Sequence, residues 1–180
     1  MLEGIQGIDW AIMHWIRDTI QCGALDLLMP KLTALGNGGA VWIIAALAMT
    51  ISKKYRRYGV VMLVSLAVGV LIGNVCLKHL IARPRPCWQE NVQLLIANPT
   101  DYSFPSGHTL SSVIGATVLT RANRRLGLAA IPLAALIAFS RLYLYVHFPS
   151  DVLASVIIGT VIGSAAVSVM NVVMKRRSIH

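Results

Sequence analysis

Five apolar runs, each near the length of a helix that crosses a bilayer, leave this chain little choice of fold. They cover roughly residues 34–52, 58–80, 105–120, 126–147 and 150–174. Crossing the hydrocarbon takes about 20 apolar residues of helix. The third run is short and opens with polar residues, so its start is expected inside a protein-lined cavity rather than against lipid. Composition agrees, with 56% apolar residues and a mean hydropathy of +0.68. Only 13% of residues are charged, against roughly a quarter in a soluble domain. The expectation is an all-α polytopic membrane helical bundle of about five transmembrane helices.

A net charge of +9 would fit nucleic acid, but its placement does not. Ten of the 16 Lys and Arg residues sit in three clusters that border apolar runs: Lys53, Lys54, Arg56 and Arg57; Arg121, Arg124 and Arg125; Lys175, Arg176 and Arg177. No aromatic residues alternate with them as a stacking platform would require. Alternating crossings put all three clusters on one side, which the positive-inside bias makes cytoplasmic. The seven acidic residues (Glu3, Asp9, Asp18, Asp26, Glu90, Asp101 and Asp151) fall on the other side or in the N-terminal segment.

One domain is expected over residues 1–180, with an interfacial N-terminal segment 1–33, a transmembrane bundle 34–174 and an outer-face loop 87–104. Within 5–33, apolar and charged residues alternate at helical spacing, which fits interfacial amphipathic helices better than a sixth span; six helices in total are possible. In the loop, the apolar run from Val92 to Ala97 is expected to dip into lipid as a partial lid. His14, Arg17, His79 and His180 read as interfacial anchors, and Tyr143 and Tyr145 as part of the aromatic belt. No basic stretch followed by an apolar run and a cleavage site opens the chain, so no removable signal is expected. Of the three cysteines, Cys76 reads as a buried thiol, while Cys22 and Cys87 share the outer side.

Three blocks break the apolar pattern: Lys78 to Pro86, Phe104 to His108, and Ser140 to Asp151. Ionisable groups at membrane depth are expensive, so each is a functional candidate. Lys78, Arg85 and Arg141 suit the equatorial oxygens of a transferring phosphoryl group, the guanidiniums with bidentate forks. Arg83 stands beside this set and reads as loop support. Pro105, Ser106, Gly107 and His108 read as a helix start, where free amides attract anions and Gly107 permits close approach. Asp151 follows His147 by four residues, which puts both on one side, with Asp151 in the first turn of the last helix. A carboxylate on one imidazole nitrogen raises the nucleophilicity of the other. His147 is therefore the candidate nucleophile, Asp151 its partner, and His108 the acid and base.

These blocks resemble K-x6-R-P, P-S-G-H and S-R-x5-H-x3-D, the three-part signature of the type-2 phosphatidic acid phosphatase superfamily. The likeness runs from Lys78 to Asp151 with no departure at a signature position. It implies a metal-independent, vanadate-sensitive phosphatase, needing no cofactor, in a membrane helical bundle. Lys78, Arg85, Ser106, Gly107 and Arg141 would bind phosphate, with no metal site. The small size resembles bacterial members that act on phosphorylated lipids at the outer face of the inner membrane. The expected partners are such a lipid and the bilayer, not nucleic acid. Undecaprenyl diphosphate, and with it peptidoglycan precursor recycling, is the favoured substrate reading; phosphatidylglycerophosphate, phosphatidic acid and lipid A are the alternatives. Two readings from other classes compete. A vanadium haloperoxidase resembles the same signature but is soluble, against five apolar runs. A non-enzymatic phosphate or lipid carrier has no use for a His–Asp pair and a second imidazole.

Overall fold

The computed structural model describes residues 2–177; His180 and the side chains of Glu3 and Arg177 lie outside what it describes. It is all-helical among those residues. Helix α1 (Leu2–Trp15) runs into a π-helical turn, Ile16–Ile20. Helices α2 (Gly23–Leu35) and α3 (Ala40–Ile51) follow, joined by a tight turn at Asn37–Gly39. Helix α4 (Arg56–Gly69) passes through a π-helical stretch, Val70–Leu77, into α5 (Lys78–Ile81). A short α6 (Pro86–Gln89) precedes the outer loop, and α7 (Gly107–Ala122), α8 (Arg124–Tyr143) and α9 (Pro149–Arg177) complete the bundle.

By length and composition, three helical stretches can cross a membrane, beginning at Arg56, Arg124 and Pro149. Helices α2 and α3 add a fourth if their 43° bend is one broken span. Gly38 and Gly39 make that bend, with φ of +56° and +71°, in a region that side chains with a Cβ rarely enter. Helix α2 runs through residue 33, burying Met29 and Thr33, and ends at Leu35 before the turn into α3. The third apolar run, α7, has 16 residues, about 24 Å of helix, short of a 30 Å hydrocarbon core. It runs between the two ends of the bundle as its central post, with its start recessed inside the protein, packed against α3, α4, α8 and α9.

That role explains its residues. Leu110, Ile114, Val118 and Leu119 of α7 are buried against Trp42, Ala46, Met62, Leu66 and Ile137. The Trp42 indole donates to Ser112 Oγ at 2.9 Å. The outward faces are apolar as well: Ile44, Ile51, Leu128, Ile157 and Val161 are each more than half exposed. On a soluble protein this would be a liability; here it is the surface that lipid covers. Cys76 belongs to that surface rather than to the interior, and Cys22 and Cys87 are both free thiols.

The basic clusters gather at one end. Asn123 donates to the Tyr55 hydroxyl at 2.9 Å, and Arg57 reaches Met174 Sδ at 3.0 Å. The turn at 52–55, the turn at 123 and the end of α9 are thereby neighbours. Residues Lys78, Arg85 and His147 lie at the other end, beside the outer loop. A cysteine at Arg124 and one at Gln93, each placed in a cysteine-free background, should therefore be accessible from opposite sides. With an impermeant thiol reagent on intact cells, only the Gln93 site should label. Labelling at Arg124 alone would reverse the orientation.

Candidate active site

The site is assembled where four chain segments end. The first is the end of α5. Ala82, at φ +47°, stops the helix, and its N–H caps Lys78 C=O at 3.0 Å. The chain then leaves through Arg83, Pro84 and Arg85. Lys78 and Arg85 are 5% and 2% exposed, and both point at Asp101 from the outer loop. Arg85 spends its guanidinium fully. Nε and Nη2 donate to the Asp101 carbonyl and carboxylate at 2.6 Å, and Nη1 to Val146 C=O at 2.6 Å. Nη1 also lies 3.1 Å from His147 Nε2.

The second segment is the start of α7. Ser106 is the N-cap, fully buried, its hydroxyl accepting from Thr109 N–H and Thr109 Oγ1. At Gly107 a Cβ would come within 3.1 Å of Asn74 Oδ1. His108 shares a 2.9 Å hydrogen bond with Asn37 Oδ1 through Nε2. Its ring lies against Gly36, where an added Cβ would sit 2.8 Å from His108 Cδ2. The third is the end of α8, where Arg141 donates to Thr33 Oγ1 at 2.5 Å and keeps a buried Nε with no protein partner.

The fourth segment is the α8–α9 connection. Asp151 is in the first turn of α9, as expected, and reaches back to accept the Phe148 N–H at 2.9 Å, the return half of a capping box. Its carboxylate also accepts from Ser103 Oγ and Arg83. His147 Nδ1 stands 3.7 Å from Asp151 Oδ2, outside hydrogen-bond distance, and is buried without a partner. The two groups are adjacent, with the His147 proton site aimed at a carboxylate held by others.

A cavity of about 780 Å³ connects these parts. Lys78, Arg85, Gly107, His108, Arg141 and His147 line one end, and Leu63, Leu66, Val70 and Ile114 the other. Ser106 and Asp151 stand behind that wall, the first as a cap and the second as a support. The arrangement joins an anion site to an apolar recess.

Four expectations are corrected. The loop run at 92–97 does not dip into lipid: Val92, Leu94 and Ile96 pack against Trp10, Ile16, Met29, Leu142 and Tyr145, because the N-terminal helices offer them an apolar bed. Tyr143 and Tyr145 are each 5% exposed and bonded to Asp26 and Glu90, so they are internal ties rather than a belt. His14 and Arg17 likewise pair with Glu90. Arg83 is more than loop support, since it bonds Asp151 directly. Asp101 was not foreseen at all. Carboxylates in an outer loop are commonplace, and nothing in its spacing marks it. Burial works to raise the Asp101 carboxyl, but the Lys78 hydrogen bond and the charges of Arg85 and Lys78 outweigh it and hold the group at about 2.

A profile of the PAP2 superfamily matches residues 54–175. An undecaprenyl-diphosphatase of Sulfolobus acidocaldarius is 34% identical over 151 residues, covering 83% of this chain and 72% of the relative. An undecaprenyl-diphosphatase of Bacillus subtilis is 31% identical over 125 residues, covering 69% of this chain and 61% of the relative. Among solved structures, the transmembrane PAP2-type phosphatidylglycerolphosphate phosphatase of Bacillus subtilis superposes with a TM-score of 0.74 at 26% identity. That match covers 92% of this chain and 85% of the other. The chain belongs to the PAP2 superfamily of membrane helical bundles. Those likenesses make it a lipid phosphatase.

Asp101 is then an internal anion on the cations that a phosphate would claim. Removing its charge with Asp101→Asn keeps the carbonyl that Arg85 Nε uses. Inhibition by inorganic phosphate or orthovanadate should tighten by about tenfold or more, since one opposing charge about 4 Å away is worth from about 1 kcal/mol in water to about 4 kcal/mol at a protein surface. Weaker inhibition would mean that the carboxylate holds the cations in place for the ligand instead of competing with it.

Proposed function

We propose that this protein removes a phosphate from a membrane lipid through a phosphohistidine on His147, without a metal, at the outer face of a bacterial cytoplasmic membrane. The observation that carries the reading is the position of His147 Nε2. It opens into the cavity beside Arg85, with Lys78 and Arg141 on the same wall and Asp151 behind Nδ1.

The chemistry follows from those positions. Phosphoryl transfer needs charge stabilisation on the equatorial oxygens more than it needs covalent help. Lys78, Arg85 and Arg141 supply that stabilisation, and Ser106 and Gly107 set the helix start on which the phosphate rests. His147 Nε2 attacks phosphorus as the P–O bond to the leaving group breaks, and the imidazolium Nδ1–H is stabilised by Asp151. Protonated His108 gives its proton to the departing oxygen. Neutral His108 then takes a proton from water, whose oxygen attacks phosphorus, breaks the P–N bond and releases phosphate. Asp101 leaves the cations for each cycle.

Undecaprenyl diphosphate is the substrate we favour. A compact cationic pocket suits a diphosphate, the apolar recess suits a featureless chain, and two relatives named for this reaction agree. Phosphatidylglycerophosphate is the second reading, supported by the structural neighbour that bears its name. Phosphate release by purified protein from both lipids, with chelator present, decides between them; activity that chelator abolishes would end the metal-independent reading.

The two histidines are separable. His147→Asn should form no phosphoenzyme with any leaving group. His108→Asn should lose most with a poor leaving group, yet with an activated aryl phosphate it should complete the first step and stall. A burst of aryl alcohol in rapid quench is the expected sign. A burst from the His147 variant and none from the His108 variant would exchange their roles.

A further inference from the structure

Behind the His147–Asp151 pair, on the side away from the cavity, a single guanidinium joins two buried carboxylates. Arg83 Nη1 donates to Asp151 Oδ1 at 2.6 Å and to Ser150 Oγ at 2.7 Å. Its other terminal nitrogen, Nη2, donates to Asp9 Oδ2 at 2.7 Å and to Gln6 Oε1 at 2.6 Å. The plane of the group stacks on Phe148, with Cζ 4.1 Å from the ring centroid. Asp9, from helix α1, is 2% exposed, and it also accepts from the backbone N–H and the hydroxyl of Ser150.

None of these atoms lines the cavity, so the network does not bind substrate. Nor is stability a sufficient reason for it. Buried ion pairs seldom stabilise more than apolar packing of the same volume would. What the network does supply is direction. Asp151 receives Arg83 on one oxygen and Ser103 with the Phe148 N–H on the other. The carboxylate is thereby fixed on every side but the one facing His147 Nδ1.

We propose that Arg83, held by Asp9 of α1, is a positioning residue that sets the Asp151 carboxylate against His147, so that the N-terminal helix is part of the catalytic apparatus. This rests on the roles given to His147 and Asp151 under the proposed function. The same Arg-Pro-Arg segment then serves both faces of the pair: Arg85 stands before His147 Nε2 and Arg83 behind Asp151. A lysine at position 83 has one ammonium and cannot span both carboxylates.

The test uses purified full-length protein carrying Arg83→Lys, Asp9→Asn, or the double change Arg83→Met with Asp9→Leu. Around metal sites, removing the partner that orients a ligand typically costs about 10–100-fold, and a support behind a histidine–carboxylate pair should act on the same scale. Each single variant should lose about that much in kcat on undecaprenyl diphosphate and in the burst rate with an aryl phosphate. KM and the inhibition constant for inorganic phosphate should stay within about threefold, because the cation cradle is untouched. The double variant removes the Arg83–Asp9 pair but leaves Asp151 without its cation, so its kcat should stay low whatever its thermal midpoint. Wild-type kcat in the single variants, or thermal midpoint and kcat recovering together in the double one, would overturn the proposal. Failure of all three to fold would assign the pair to folding and overturn it too. His147→Asn is run in parallel: full turnover there would sink the reading of the site itself, whatever Arg83 does.

Discussion

Charge that is removed from bulk water has to be met by charge or by well-placed dipoles, and at the end of this bundle that holds the site that requirement governs the course of the connecting segments. Lys78, Arg85 and Arg141 are each no more than 5% exposed. Two unit charges 4 Å apart interact by about 4 kcal/mol even where the surroundings screen as strongly as a protein surface does. Three buried cations that line one cavity repel each other unless anions stand among them. The outer loop answers with Asp101, which binds two of them, and α2 answers with the Thr33 hydroxyl, which takes Arg141. The carboxylate neutralises the charges that, on the proposed function, a phosphate would meet.

The same logic extends one layer outward. Asp151 is fully buried beside His147, and its charge is met by Arg83; the charge of Arg83 is in turn shared with Asp9. Helix α1 is drawn onto α9 by this chain of pairs, and its apolar side closes over Tyr145 and Phe148 through Met13 and Trp10. Glu90 completes the cover, since His14, Arg17 and Tyr145 all converge on it. The N-terminal helices and the outer loop thus form one roof, built from polar ties over a small apolar bed.

Beneath the roof, α7 gives the site its depth. Because it is shorter than the hydrocarbon core is thick, its N-terminus stops inside the protein, and Gly107 and His108 are presented at the cavity wall, with Ser106 behind them, rather than at a membrane surface. Polar backbone at such a depth is tolerated only where protein or a cavity surrounds it. The polar start of the third apolar run was a legible sign of this, and so were all the signature cations and imidazoles. In a chain so apolar, each stood out by its cost.

What the sequence determined by itself is therefore the class of fold, the end of the bundle at which the ionisable groups gather and six of the residues that line the cavity there, Lys78, Arg85, Gly107, His108, Arg141 and His147. All three are written in the contrast between apolar runs and the expensive groups that interrupt them. The tertiary structure alone decided what those groups touch. Asp9 and Asp101 look like ordinary solvated carboxylates in the sequence, and Arg83 looks like a neighbour of the arginine that matters. Nothing local distinguishes them, because pairing between residues 74 or 68 positions apart depends on how helices pack. Packing is a property of the whole bundle, which no single stretch of chain contains.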